Sequence, residues 1–195
     1  MEGGAALTEA DLVARAVQGL PDAVETLLAS LRPQIVRYCR ARLGPISGGY
    51  TTADDVAQEV CVAILGALPR FRDQGVPFSA FVFGIAARKV ADAHRAATRG
   101  FPLSTVDYVP ERADTRPGPE QLAVAAELSR RLSDFLGELP ETQREIIVLR
   151  VAVGLSAEEV GKVLGMSAAA VRVAQSRALH RLRTIASSLV DEMAS

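Results

Sequence analysis

The chain has 195 residues, 49% hydrophobic and 23% charged, a globular composition that can bury about two thirds of the unfolded surface in one domain or two small ones. Its 22 Lys and Arg against 23 Asp and Glu give a formal net charge of -1, which excludes a protein that coats nucleic acid by bulk charge; a nucleic-acid surface must come from segregated charge. Two cysteines, Cys39 and Cys61, are too few and too far apart for a zinc site or a disulfide scaffold, and read as buried thiols of a reducing cytoplasm.

Met1 to Leu12 carries Glu2, Glu9 and Asp11 and no basic region ahead of an apolar stretch, unlike a signal peptide. The longest near-apolar run, Val60 to Leu68, is half the length of a membrane span, so no membrane insertion is expected. Few aromatics, short β-branched runs, and Ala and Leu at spacings of three and four predict an all-α protein. Thr8 with Asp11 opens a short helix whose Leu12, Val13, Ala16 and Val17 share a face before Gly19 ends it. From Asp22 the positions Val24, Leu27, Leu28, Leu31, Ile35, Cys39 and Leu43 keep helical spacing across Pro33, which removes one backbone hydrogen bond, until Gly44-Pro45.

Thr51-Thr52 ahead of Asp54-Asp55 caps a third helix that turns Val56, Val60, Ile64, Leu65 and Leu68 inward and closes at Pro69. On it Asp55, Gln58 and Glu59 form one acidic-polar face, suited to a basic partner or to solvent. Arg70 to Pro77 is polar and turn-forming, and Phe78 leads into a helix with Phe81, Val82, Ile85, Ala86 and Val90 as core candidates. Its basic end, Arg88, Lys89, Arg95 and Arg99, suits phosphate contact, or cations complementing a helix dipole. Phe71, Phe78, Phe81 and Phe83 suit a core, or a wall for an unstacked base.

Between Gly100 and Pro119 periodicity disappears among five prolines and glycines. This predicts a flexible linker, 101–119, between small helical domains at 1–100 and 120–195. The second domain is expected as a four-helix unit: Glu120 to Leu136, Pro140 to Val153 with Pro140 at a first helical position, Ser156 to Leu164, and Ser167 to about Val190. Leu155 to Arg183 reads as a helix-turn-helix. Ser156 and Glu159 make a capping box, Val160, Val163 and Leu164 face inward, Gly165 supplies the left-handed turn residue, and Ser167 caps the next helix. Val171, Ala174, Ala178 and Leu182 form that helix's inner stripe and leave Arg172, Gln175, Ser176, Arg177 and His180 on other faces. Its one-sided positive charge suits a helix in a DNA major groove, or a helical hairpin with a solvated basic face.

Phosphate-binding, zinc-protease, nucleophile-elbow and dinucleotide motifs are absent from the sequence, and His94 and His180 stand in different predicted domains amid arginines. No catalytic residue, metal site or cofactor is therefore expected, and the chain is read as no enzyme. These residues alone leave open a promoter-specificity subunit, a free-standing helix-turn-helix regulator and a protein-binding helical adaptor.

Three blocks in order narrow that choice. Asp54 to Val60 (DDVAQEV) followed by Ala67 to Phe71 (ALPRF), then Phe78 to Arg95 (FSAFVFGIAARKVADAHR), then Glu138 to Ser167 (ELPETQREIIVLRVAVGLSAEEVGKVLGMS), together resemble the extracytoplasmic-function group of bacterial sigma-70-type RNA polymerase sigma factors. The wording IAARKVADAHRA and VRVAQSRAL is similar to an actinobacterial, sigma-D-like subgroup. The resemblance implies a cytoplasmic sigma factor that binds core RNA polymerase and recognises promoter DNA at its −10 and −35 elements, with an inhibitory anti-sigma factor as a further partner. It implies that Asp55, Gln58 and Glu59 bind core polymerase. Arg70, Phe71, Asp73, Gln74, Arg88, Lys89, Arg95 and Arg99 would serve the −10 element. Ser167, Arg172, Gln175, Ser176, Arg177, Arg181 and Arg183 would serve the −35 element. The sequence departs from the family pattern at Phe81, where Trp is usual, at Arg88, where Asn is usual, and at Val171 to Ala174, where Val-Lys-Ser-Arg is frequent.

Overall fold

A computed structural model of the chain describes residues 8–44, 52–73, 75–98, 127 and 131–193; the linker expected at 101–119, with Gln74 and Arg99, lies outside the described residues. Among the described residues there are helices and turns and no strand. The first segment holds α1 (Glu9–Val17), α2 (Pro21–Leu43), α3 (Ala53–Ala67) with a 3-10 turn at Leu68–Arg70, and α4 (Phe78–Thr98). The second holds α5 (131–137), α6 (Glu141–Ile147) running into a wider π-type turn at Val148–Val153, α7 (Ala157–Leu164) and α8 (Ala168–Met193).

Helices α1, α3 and α7 start on one device. Thr8, Thr52 and Ser156 each accept a hydrogen bond from the third helical residue, and the side chains of Asp11, Asp55 and Glu159 accept one back from the cap. Helix α2 continues through Pro33 and ends at Gly44, whose N–H bonds to Arg40 O at 3.0 Å. Pro140 is the N-cap of α6 rather than its first residue. The helix expected to run unbroken to Val153 instead widens, because Leu149 O accepts from both Gly154 N (3.1 Å) and Leu155 N (3.0 Å). Arg144 closes the α5–α6 turn by donating to Leu136 O (2.8 Å) and Gly137 O (2.9 Å).

The core is one continuous apolar cluster that joins Ile35, Val60, Ile64, Val82 and Phe83 of the first segment to Ile146, Leu149, Val160 and Val171 of the second. The inward positions expected on α2, α3 and α4 are largely met, with two corrections. Leu65 is 41% exposed, and α4 is rotated so that Phe78 and Phe83 are buried while Phe81 and Ile85 are half-buried. Phe78 lies against Phe71 and Phe81, with ring centroids 5.1 and 5.6 Å away. Burial pushes the Cys39 thiol up to about 12, as expected of an inert core cysteine.

The two segments also meet through polar groups. Tyr38 donates to Glu145 Oε1 at 2.7 Å, and Arg42 Nε stands 2.8 Å from Glu145 Oε2, with the Arg42 and Glu145 side chains only 8% and 10% exposed. Arg42 also donates to Glu141. Burial pushes the Glu145 carboxyl upward, while Arg42 and the Tyr38 hydroxyl pull it down; burial beside that carboxylate raises the Tyr38 phenol and keeps it a donor. Arg37 donates to Ala152 O (2.8 Å) and Ser79 to Glu159 Oε1 (3.0 Å).

The turn between α7 and α8 is tight for two reasons. Gly165 takes a left-handed φ of 67°, and Gly161 lies so close to the turn that a Cβ there would stand 2.6 Å from Met166 O. That contact is backbone, so no side-chain rotation relieves it. Gly161→Ala should therefore cost about 1–3 kcal/mol, the usual range for overpacking. Gly66→Ala, where a Cβ meets nothing within 4 Å, should stabilise the chain by about 0.5–1 kcal/mol through helix propensity. Denaturant unfolding of the two variants checks both signs; equal effects would mean that the Gly161 contact does not constrain the turn.

Candidate nucleic-acid interface

Helix α3 presents Gln58 and Glu59 on its exposed side, beside a shallow groove of about 490 Å³ lined by Asp55, Gln58, Glu59, Val62, Ala63 and Lys89. Asp55 has a structural task already: its carboxylate accepts from Thr52 N (2.8 Å) and Thr52 Oγ1 (2.8 Å) as half of the capping box. Glu59 pairs with Lys89 of α4 at 3.0 Å. Arg40 binds Asp54 at 2.7 and 2.8 Å, and that hydrogen bonding holds the Asp54 carboxyl below its usual range. Val62 and Leu65, 62% and 41% exposed, put an apolar centre next to these polar groups. Sequence reading missed that centre; its signal is an apolar pair lying off the buried stripe of α3.

The loop after α3 is anchored by Phe71, half-buried, with its ring 5.1 Å from both Phe78 and Phe81. Arg70 and Asp73 are exposed, and Asp73 Oδ1 accepts from Gly75 N at 3.0 Å, which folds the loop back on itself. Between this loop and α1 runs an open groove of about 810 Å³, lined by Val13, Val17, Phe71, Asp73, Phe78 and Glu159 among others. It offers apolar walls and a polar rim. Farther along α4, Arg88 is exposed, Lys89 is held by Glu59, and Arg95 pairs with Asp92 one turn earlier. A second cleft, about 660 Å³, separates Arg88 and His94 of α4 from Val163, Leu164 and Met166 near the α7–α8 turn, with Arg42, Glu141 and Glu145 also lining it.

Helix α8 starts at Ala168 with Ser167 Oγ accepting from Ala170 N at 3.1 Å. Val171 and Ala178 are buried, so at 100° per residue Arg172, Ser176, His180 and Arg183 share the outward face and Arg177 and Arg181 lie along one edge. All six are exposed. Gln175 sits on the opposite edge, half-buried, where its Oε1 accepts from Arg150 Nε at 3.0 Å. Arg172 is paired with Glu158 of α7. Val173, 50% exposed, adds an apolar group beside Arg172 that the sequence reading left out of the candidate set.

Among the described residues, no group of three or more His, Cys, Asp and Glu could hold a metal ion, and no helix is long and apolar enough to cross a membrane. The geometry is thus an acidic helix face, a loop with a basic helix, and a helix-turn-helix with a basic outer face.

Residues 27–100 match the model of Sigma-70 region 2, and residues 135–184 match that of Sigma-70, region 4. The chain is 53% identical to the ECF RNA polymerase sigma factor SigD of Mycobacterium tuberculosis, over 88% of this chain and 81% of that protein. It is 54% identical to the ECF RNA polymerase sigma factor ShbA of Streptomyces griseus, over 90% of this chain and 93% of that protein. Among solved structures, CnrH in complex with the cytosolic domain of CnrY superposes with a TM-score of 0.68 at 29% identity, over 91% of this chain and 96% of that one. The two matched regions coincide with the two helical segments that carry the exposed faces, and the chain therefore belongs to the ECF sigma factors of the sigma-70 family, on their SigD-like branch, and directs promoter-specific transcription initiation.

Proposed function

We propose that the two segments divide the work of this sigma factor as two domains, 1–100 for core RNA polymerase and the −10 element and 120–195 for the −35 element, joined by 101–119. The observation that carries this reading is the placement of three separate exposed faces, on α3, on the α3–α4 loop with α4, and on α8. The chain works in the cytoplasm as a specificity subunit with no catalytic step of its own. Because the structurally similar CnrH is bound by the cytosolic domain of CnrY, an inhibitory anti-sigma protein is a fitting further partner here.

On α3, Gln58 and Glu59 supply a polar rim and Val62 and Leu65 an apolar centre, the arrangement that gives a protein interface its affinity. Asp55 contributes mainly by fixing the helix start. The loop at Arg70 to Pro77 receives an unstacked base of the −10 element: Arg70, Asp73 and Gln74 offer hydrogen bonds to its edge, Phe71 forms the wall behind it, and Arg88, Lys89, Arg95 and Arg99 hold the strand. On α8, Arg172, Ser176 and Val173 face base edges, with the valine suited to a thymine methyl group, while Arg177, Arg181 and Arg183 lie toward phosphate and Ser167 sets the helix start on the backbone. Gln175, turned to Arg150, contacts DNA only at the rim of this face.

Combining Gln58→Ala with Glu59→Lys should weaken assembly with core polymerase by about ten-fold or more and leave helix content unchanged, since the Thr52–Asp55 cap is untouched. Assembly at the wild-type level, read by native gel or fluorescence anisotropy, would remove α3 from the interface. On the upstream element, Arg172→Ala should relax preference at one base pair by about 1–3 kcal/mol, whereas Arg183→Ala should weaken all sequences alike and reduce the salt slope. If selection from a randomised −35 library finds both variants uniformly weakened, Arg172 reads no base.

A further inference from the structure

We infer that Glu158 is a specificity-determining residue of −35 recognition: its carboxylate positions Arg172 for a base edge and keeps that guanidinium off the phosphates. The inference rests on the assignment of α8 to the −35 element proposed above, and adds to it a residue outside the recognition helix. Glu158 acts only through Arg172 and is therefore a positioning residue.

The pair spans the helix-turn-helix. Glu158 stands in the first turn of α7 and Arg172 in the second turn of α8, 14 positions on, where Arg172 Nη2 donates to Glu158 Oε1. With side chains 60% and 63% exposed, the contact lies on the surface where the outward face of α8 begins. Both ends are fixed by their backbones. Glu159, the next residue, is committed to the Ser156 cap, Val160 and Val171 are buried, and Gly161 packs against Met166 O in the turn between them. A bond from its own backbone N–H, and then the bond from Arg172, hold the Glu158 carboxyl below its usual range, so it is an anion near neutral pH.

The distribution of partners along α8 is the informative observation. Among the described residues, Arg172 is the one cation of α8 with a carboxylate partner, whereas Arg177, Arg181 and Arg183, which lie toward phosphate on the reading above, are exposed and have none. An unpaired guanidinium beside a duplex takes the nearest phosphate whatever the sequence. One already joined to a carboxylate gains little by that exchange, which would leave Glu158 unpaired next to a polyanion. A guanine edge differs, because N7 and O6 accept two N–H bonds together. The contact with Glu158 engages Nη2 alone, so the rest of the planar fork stays open to such an edge. Anchoring one side of the guanidinium also removes freedom before DNA arrives, which lowers the cost of ordering the base contact. Glu158 thus lowers affinity for every sequence, and lowers it least where Arg172 meets guanine.

The test uses holoenzymes reconstituted from core polymerase and the full chain as wild type, Glu158→Ala, Arg172→Ala or both, selected on promoter fragments with a randomised −35 element. Circular dichroism checks helix content. Glu158→Ala should lose about five-fold or more of the preference at the base pair that Arg172→Ala relaxes. It should also bind promoters with a scrambled −35 element about two- to five-fold tighter, with a salt slope steeper by about one. A residue needed only for folding would lower both together. In the Arg172→Ala background the same change should leave base preference unaltered. Glu158→Gln keeps an acceptor for Arg172 without the charge, so it should retain most of the preference and still gain on scrambled elements; this variant decides the matter should Glu158→Ala fail to fold. Unchanged preference in Glu158→Ala, or a uniform loss of binding in the Glu158 variants, would overturn the inference. So would a relaxed base pair that persists without Arg172, since Glu158 would then contact a base itself. If Arg172→Ala relaxes no base pair at all, the assignment of Arg172 beneath the inference falls instead.

Discussion

Between α2 and α6, a guanidinium, a carboxylate and a phenol are packed out of water, 107 positions apart in sequence for the Tyr38–Glu145 bond. Taking charges out of water is expensive, and their mutual attraction offsets that cost only when the geometry is good and the remaining polar atoms find partners. Here the compensation is incomplete, because Arg42 Nη1 has none among the described residues. Adhesion between the segments thus comes from the apolar cluster around Ile146, Leu149 and Val160, which any sliding of α6 along α2 would partly preserve. The ion cluster has no such tolerance. A shift of one helical turn would strand Glu145 in the core without Arg42, so the polar contact sets the register and the apolar contact supplies the attraction. The Arg37 to Ala152 bond then fixes the π-type turn against the same helix, and through Arg150 and Gln175 that turn holds the edge of α8.

Helix starts impose a second constraint on the functional faces. Asp55 and Glu159 sit three residues after a Thr or Ser cap, and their carboxylates are bonded to the backbone of that cap. Burial opposes it, yet the bonds from Ser156 and Ser79 hold the Glu159 carboxyl below its usual range. Carboxylates committed in this way have fewer lone pairs for a partner and lose a helix cap if altered. On α3 the side chains available for recognition are therefore displaced toward the second and third turns, to Gln58, Glu59 and Val62.

Most of the fold was legible because its instructions are local. Capping pairs, the Gly44-Pro45 stop, the Pro69 break and the Gly165 turn each act within four or five residues, and helical spacing marked Leu27, Ile35, Val60, Val82 and Val160 as inward. Misplaced residues share a different cause. Leu65 and Val62 are as apolar as Ile64, and only the packing of α3 against α2 and α4 decides which of them is covered. Tyr38, fully buried beside Phe83 with centroids 5.5 Å apart, drew no attention because its partner Glu145 lies in the other segment. The widening of α6 at Val148 is accompanied by Arg150 bonding Leu155 O and Gln175, contacts that periodicity does not encode. For the candidate site, residue type and order along the chain were readable. The pairing of Lys89 with Glu59 and of Arg172 with Glu158 was not, since each bridges two helices.

That pairing bears on how a chain of near-zero net charge handles DNA. Three cations on the surfaces proposed above to face DNA have a carboxylate in contact: Lys89 with Glu59, Arg95 with Asp92, and Arg172 with Glu158. Exposed pairs of this kind are worth about 0–1 kcal/mol each, so exchanging a carboxylate for a phosphate is cheap. The exchange also gains little on its own, because a cation already neutralised adds less to the attraction that drives counterion release from DNA. On the proposed division of labour, the faces bind DNA weakly one at a time and usefully only together. Core polymerase supplies that condition by holding both faces beside one duplex, which turns the second contact into an intramolecular one at high effective concentration. Moderate charge on each face then gives promoter selectivity to the assembled enzyme and leaves the free chain with little hold on bulk DNA.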